Sequence, residues 1–302
     1  MYWVPHIQVR CWEDGHFGQA DLQASGIKFR PALSRRPRTR SSVDEHPISL
    51  EKAKELLAGD LGDVYRRILA GCCVPVYWFN LGTKDFAISH NGTLTIVRTP
   101  KALLGITAAH VFRQYERDSK NGPVRLQFMN EVIDDLGGRL IDISDKLDLA
   151  TFALDEDLVK RLGRTPLGVW PPRPPQEGKG IMISGFPAVE RIESKNFEVN
   201  FGLFTALGVA RTVTEKQITW LLEREFQLAK ARVPAPPPEY DLGGISGGPL
   251  ISWFESPYFV SHYCLSGIVI EHPDYKNSKN MQPIERLIAI RADSIAERGK
   301  IV

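Results

Sequence analysis

The sequence predicts an all-β domain behind a short N-terminal helical extension. Three observations carry this reading. From residue 74 onward, short apolar runs rich in β-branched and aromatic residues recur, with glycine, proline, asparagine and aspartate between them. No long helix-period segment separates those runs, which argues against a parallel sheet with crossover helices. Asn91-Gly92 also lies between two such runs, and this pair favours a tight hairpin turn.

Residues 1–47 read as a flexible basic arm. Arg30, Arg35, Arg36, Arg38 and Arg40 fall in a stretch with serine and proline, a composition that stays solvated. Residues 48–71 read as a helical extension. Leu50, Ala53, Leu56, Leu57, Leu61, Tyr65, Ile68 and Leu69 recur at spacings of three and four. Ser49 stands where it can cap this helix, and Gly71 where it can end it. Gly59 and Gly62 weaken its middle and are expected to split it. Residues 1–71 are a candidate docking region for a partner protein; the plainer alternative is a helix packed against the domain.

Residues 72–302 form the expected β domain. Strands are expected at 74–79, 86–89, 93–97, 103–108, 124–129 and 149–154, and again at 180–186, 198–210, 217–222, 249–254, 264–270 and 286–291. Many short strands separated by turns point to a barrel or sandwich. Pro171-Pro172-Arg173-Pro174-Pro175 reads as a stiff surface connector, so the seam between two halves is expected near 171–179. Residues 292–300 are expected to form a short terminal helix.

Composition narrows the functional classes. The net charge of +2 gives no reason to expect a nucleic-acid partner. No apolar window is long enough to span a membrane. The first thirty residues, interrupted by Arg10, Glu13, Asp14 and His16, lack the apolar core of a secretory signal, so a cytoplasmic location is expected. Cys11, Cys72, Cys73 and Cys264 fit no zinc spacing and read as reduced, mostly buried thiols. No metal and no cofactor is expected.

Three segments carry chemistry. In Ile106-Thr107-Ala108-Ala109-His110, a β-like run ends in two small residues and then a histidine. Small neighbours let a substrate approach a general base closely. In Leu147-Asp148-Leu149-Ala150, an acid begins a strand between two leucines. A partly buried carboxylate there needs a partner, and an imidazole N–H is a suitable one. Asp134, Asp135, Asp142 and Asp145 compete for that role but sit in more polar, turn-like settings. In Gly243-Gly244-Ile245-Ser246-Gly247-Gly248-Pro249, four glycines surround one serine. Such a turn can aim backbone N–H groups at one point and present the hydroxyl.

Together these segments resemble the trypsin/chymotrypsin-like serine peptidases. Thr107-Ala108-Ala109-His110, Asp148-Leu149-Ala150 and Ser246-Gly247-Gly248-Pro249-Leu250 match that family's three motifs, in its chain order. The resemblance covers roughly residues 74–298 and implies a double six-stranded β-barrel. It implies a triad of His110, Asp148 and Ser246, an oxyanion hole from the backbone N–H groups of Gly244 and Ser246, and a peptide or protein substrate.

The sequence also departs from the family. Ile245 stands where digestive members carry the aspartate that pairs with a new amino terminus, so activation by that ion pair is not expected. Tyr240, Ile270 and His272 fall at the expected primary pocket and suggest a small or restricted one. Two other readings compete. Gly244-x-Ser246-x-Gly248 fits the nucleophile elbow of α/β-hydrolases, but Gly247-Gly248-Pro249 opposes the helix that fold needs next. A catalytically inactive scaffold of the same shape, binding peptides or a partner protein, is the stronger alternative.

Overall fold

The structure, a computed structural model, describes residues 2–9, 49–82, 88–193, 199–221, 241–255, 261–270 and 286–302. It is mostly β, with two antiparallel sheets and few helices. Strand β1 (Tyr2–Val9) comes first and pairs antiparallel with the strand Val199–Val209, although it falls in the segment read as an arm. Helices α1 (Leu50–Ala58) and α2 (Asp60–Gly71) follow. Ser49 caps α1 by accepting from the Lys52 N–H at 3.2 Å, and the expected split falls at Gly59. The Tyr65 ring meets Trp253 of the second sheet at 5.3 Å, and Leu69 is buried.

The first sheet contains β2 (Cys73–Asn80), β3 (Ile88–Arg98), β4 (Leu103–Thr107), β5 (Val124–Phe128), β6 (Glu131–Val132), β7 (Leu140–Ser144) and β8 (Leu149–Ala153). Their order is β6-β5-β2-β3-β4-β8-β7. Helix α3 (Ala109–Asn121) follows β4, and α4 (Glu156–Arg161) follows β8. The second sheet contains β1, β9 (Gly180–Gly185), β10 (Arg191–Glu193), β11 (Val199–Val209), β12 (Thr212–Val213), β13 (Gln217–Leu221), β14 (Pro249–Glu255), β15 (Ser261–Ile270) and β16 (Arg286–Arg291). Its order is β1-β11-β9-β14-β15-β16-β13-β12, with β10 pairing β11.

Without the two- and three-residue strands and the edge strand β1, six strands remain in each sheet. These run β5-β2-β3-β4-β8-β7 and β11-β9-β14-β15-β16-β13. Among the described residues, no ladder joins the two ends of either path. The second path does curl: a Cβ on Gly208 of β11 would collide with the Trp220 indole of β13. The chain crosses between sheets at 171–179, where the connector is pinned rather than loose. Arg173 N–H donates to the Leu265 carbonyl at 3.3 Å, and the Arg173 carbonyl accepts from Ser266 Oγ at 2.5 Å.

Strand β2 shows how the sequence builds two cores at once. Val74, Val76 and Trp78 point into the larger core, which also holds Leu94, Phe128 and Phe152. Cys73 and Tyr77 point the other way, toward Phe186 and Phe201 of the second half. Alternate residues face opposite sides of a strand, so burial on both faces reads as one continuous apolar run.

Three expectations need correction. Asn91-Gly92 is not a hairpin turn. Strand β3 runs straight through it, with Asn91 opposite Tyr77 and Gly92 opposite Val76. The glycine serves close packing instead: a Cβ there would lie 2.7 Å from Val111 Cγ1 of α3. Residues 292–300 form the short 3-10 turn Ala292–Ser294 and then a reverse turn, in which Gly299 N–H donates to the Ala296 carbonyl at 2.8 Å, enclosed by a bridge between Ile295 and Ile301. Helix α3 lies where no helix was expected. Its apolar stripe is narrow, with Val111 and Phe112 buried, Tyr115 half-buried and a mostly polar or charged remainder.

Candidate active site

Asp148 ends the turn between β7 and β8 with φ of +52°, unusual for a residue with a side chain. Aspartate tolerates this region better than most residues. In this conformation Asp148 reaches the start of α3. Its backbone carbonyl accepts from Ala109 N–H at 3.1 Å, and its Oδ1 accepts from His110 N–H at 2.8 Å. The α3 cap residue, Ala108, has no side chain able to do this. Asp148 therefore caps the helix from a different element.

The second carboxylate oxygen, Oδ2, lies 2.7 Å from His110 Nδ1. With Nδ1 protonated, this contact fixes the tautomer and turns Nε2 outward. The His110 side chain is 43 % exposed and lines a cavity, and that of its partner Asp148 is 25 % exposed. Both residues come from the first sheet and its helix.

Ser246 comes from the second half, in the turn before β14. Gly244 and Gly247 flank it with φ of +103° and +93°, conformations that favour glycine. Space alone also demands glycine at 244, where a Cβ would lie 2.7 Å from the Phe186 carbonyl oxygen. Within the turn, Ile245 N–H donates to the Leu242 carbonyl at 3.1 Å and Gly248 N–H to the Ile245 carbonyl at 2.9 Å. Gly247 N–H donates to the Val269 carbonyl of β15 at 2.8 Å. The Gly244 N–H meets no acceptor among the described residues. Ile245 is buried against Ile181, Ile183 and Leu250, which suits an apolar side chain and no ion pair.

Strand β3 stitches the serine turn to the first sheet. Asn91, Thr93 and Thr95 alternate along it and so share one face. Thr93 N–H donates to the Ser246 carbonyl at 2.9 Å. Thr93 Oγ1 donates to the Gly244 carbonyl and accepts from Phe186 N–H, each at 3.0 Å. Thr95 Oγ1 donates to the Gly247 carbonyl at 2.7 Å. Asn91 Nδ2 donates to the Phe186 carbonyl at 2.8 Å. None of these residues was singled out from the sequence as part of a site. A polar stripe of period two inside an otherwise buried strand is the signal that points to them.

A cleft of about 380 Å³ opens over this seam, lined by His110, Gly244 and Ser246 together with Asn91, Arg117 and Arg191. No family model and no curated protein matches the chain. The site therefore rests on its geometry. Of the residues expected there, His110 and Asp148 are bonded to each other, and His110 and Ser246 line the same cleft. Ile270 does not line it. That side chain is buried at the end of β15, opposite Ile288 in the core. Tyr240 and His272 lie outside the described residues.

The thiols of Cys72, Cys73 and Cys264 are buried away from the cleft. The hydrogen bond with Cys73, together with burial, pushes the Cys72 thiol well up from its ordinary range. Among the described residues, no helix is long and apolar enough to cross a membrane.

Proposed function

We propose that the chain is a serine endopeptidase of the chymotrypsin-like kind, acting through His110, Asp148 and Ser246. The observation that carries this is the 2.7 Å contact between Asp148 Oδ2 and His110 Nδ1 at the rim of the cleft that Ser246 also lines. Ser246 Oγ attacks the carbonyl carbon of a peptide bond while His110 Nε2 takes its proton. Asp148 steadies the imidazolium. The carbonyl oxygen gains negative charge against the N–H groups of Gly244 and Ser246. The C–N bond then breaks as His110 returns the proton to the leaving amine, and an acyl-enzyme remains. Water, deprotonated by His110, splits that ester and regenerates Ser246.

Topology supports the same reading. Numbered one to six in chain order, the six strands of the first sheet run 4-1-2-3-6-5 and those of the second 2-1-4-5-6-3. Both sequences are the ring 1-2-3-6-5-4, opened at different points. One ring order shared by both sheets, the second of which curls, is what a pair of six-stranded barrels requires.

One feature favours an inactive binding scaffold instead: Ser246 is only 1 % exposed. A serine-reactive fluorophosphonate probe separates the two readings. Labelling and peptide turnover by the wild-type chain, both lost in Ser246→Ala, support the peptidase. A folded wild-type chain that neither labels nor cleaves any member of a peptide library overturns it.

A further inference from the structure

We infer, on the peptidase reading, that the leaving-group side of the cleft selects a carboxylate, and that Arg117 binds it. His110, Gln114 and Arg117 stand at i, i+4 and i+7 of α3, on one face of the helix, and all three line the cleft. His110 delivers a proton to the leaving amine, so the wall running from it along α3 borders the departing half of the substrate.

The charges along that wall are not equivalent. Arg113, at i+3 and outside the cleft lining, is held by Asp145 at 3.2 Å and Glu116 at 2.8 Å. Arg191 is offset by Glu193 at 2.9 Å and also donates to Asn91 Oδ1 at 3.1 Å. Arg117 donates to the neutral Gln114 Oε1 at 2.5 Å and meets no carboxylate among the described residues. The carboxylate in the cleft lining, Asp241, accepts from Gly243 N–H at 2.8 Å beside the serine turn. Among the described residues, the α3 wall therefore presents a guanidinium with no carboxylate partner.

Distance assigns the subsite. Seven residues of helix separate His110 from Arg117 by about 10 Å. An extended peptide covers that in about three residues. The carboxylate is thus an aspartate or glutamate side chain at the second or third residue after the scissile bond, or the terminal carboxylate of a short leaving peptide.

The test uses the full chain and matched peptides carrying Glu, Gln or Lys at those two positions, each with a free or amidated C-terminus. A preference for Glu over Gln of about fivefold in kcat/KM is expected, shrinking with added salt. Arg117→Gln should bring that ratio to about one, and Arg117→Glu should shift the preference to Lys. A preference that follows the free C-terminus and not the side chain assigns the terminal carboxylate as the ligand. Turnover with no preference for either carboxylate overturns this inference and leaves the peptidase reading intact. No turnover of any peptide, with no probe labelling, removes both.

Discussion

Asp148 holds His110 at two points, with Oδ2 on the ring Nδ1 at 2.7 Å and Oδ1 on the peptide N–H at 2.8 Å. The same carboxylate thus orients the imidazole and caps the helix that carries it. These two roles can be separated by substitution. Asp148→Asn keeps an acceptor for the helix but no longer dictates the imidazole tautomer. Peptide turnover should fall by about 10⁴ in kcat with little change in stability. Asp148→Ala should lose the same activity and also destabilise the fold by about 1–2 kcal/mol through the missing cap. Steady-state kinetics with thermal melts of both variants check this.

Gly92 and Val111 test the reassignment of Asn91-Gly92 from turn to strand. A Cβ at 92 would meet Val111 Cγ1 at 2.7 Å. Gly92→Ala should therefore destabilise by about 1–3 kcal/mol through overpacking. Val111→Ala in the same chain should recover part of that loss. Urea unfolding of the double-mutant cycle reads the coupling. Additive effects would contradict the contact.

Thr93 is the hinge of the stitch between the sheets, since its hydroxyl serves both the Gly244 carbonyl and the Phe186 N–H. Thr93→Val leaves the buried Phe186 N–H and the half-buried Gly244 carbonyl without that partner and should cost about 1–3 kcal/mol. It should also slow fluorophosphonate labelling, because the serine turn loses an anchor. Thr93→Ser keeps the hydroxyl and should recover most of the labelling rate. Chemical denaturation and labelling time courses measure the two effects.

Acid should unfold the chain in a way that involves its C-terminal segment. The Ile301 N–H on Asp142, with Ile143 N–H and Lys300 nearby, holds the Asp142 carboxyl below its ordinary range. The Leu158 N–H and Arg139 do the same for Asp155. In the unfolded chain these groups take up protons at a pH where the folded chain still leaves them ionised. Their contribution is therefore complete above the ordinary carboxylate range of about 4 and is lost as pH falls through the lower folded values. Melting temperature should drop as pH falls below about 4, and less steeply in Asp142→Asn. An unchanged slope in that variant would refute the assignment.

Much of the β domain was legible from the chain. The runs read as β2, β4, β5, β8 and β13 to β16 emerge as strands, because burial on one or both faces leaves a continuous or alternating apolar record. The Ser49 cap and the Gly59 break are local backbone chemistry and were equally readable. Helix α3 was not, because its apolar stripe is narrow and its cap comes from a residue distant in the chain.

For the site, the sequence by itself determined the residue types and their order: a histidine after small residues, an acid at a strand start and a serine among glycines. Only the tertiary structure decided which acid meets the histidine. Asp135 is bonded to Gly138 N–H, Asp142 to Ile301 N–H and Asp145 to Arg113, leaving Asp148 on His110. It likewise brought Thr93 and Thr95 of the first sheet onto the serine turn of the second, and Asn91 onto the Phe186 carbonyl beside it. The reason is physical. Burial and backbone preference act on neighbours in sequence, so they leave a local pattern. A hydrogen bond between side chains from two sheets depends on where those sheets meet, and no single segment records that.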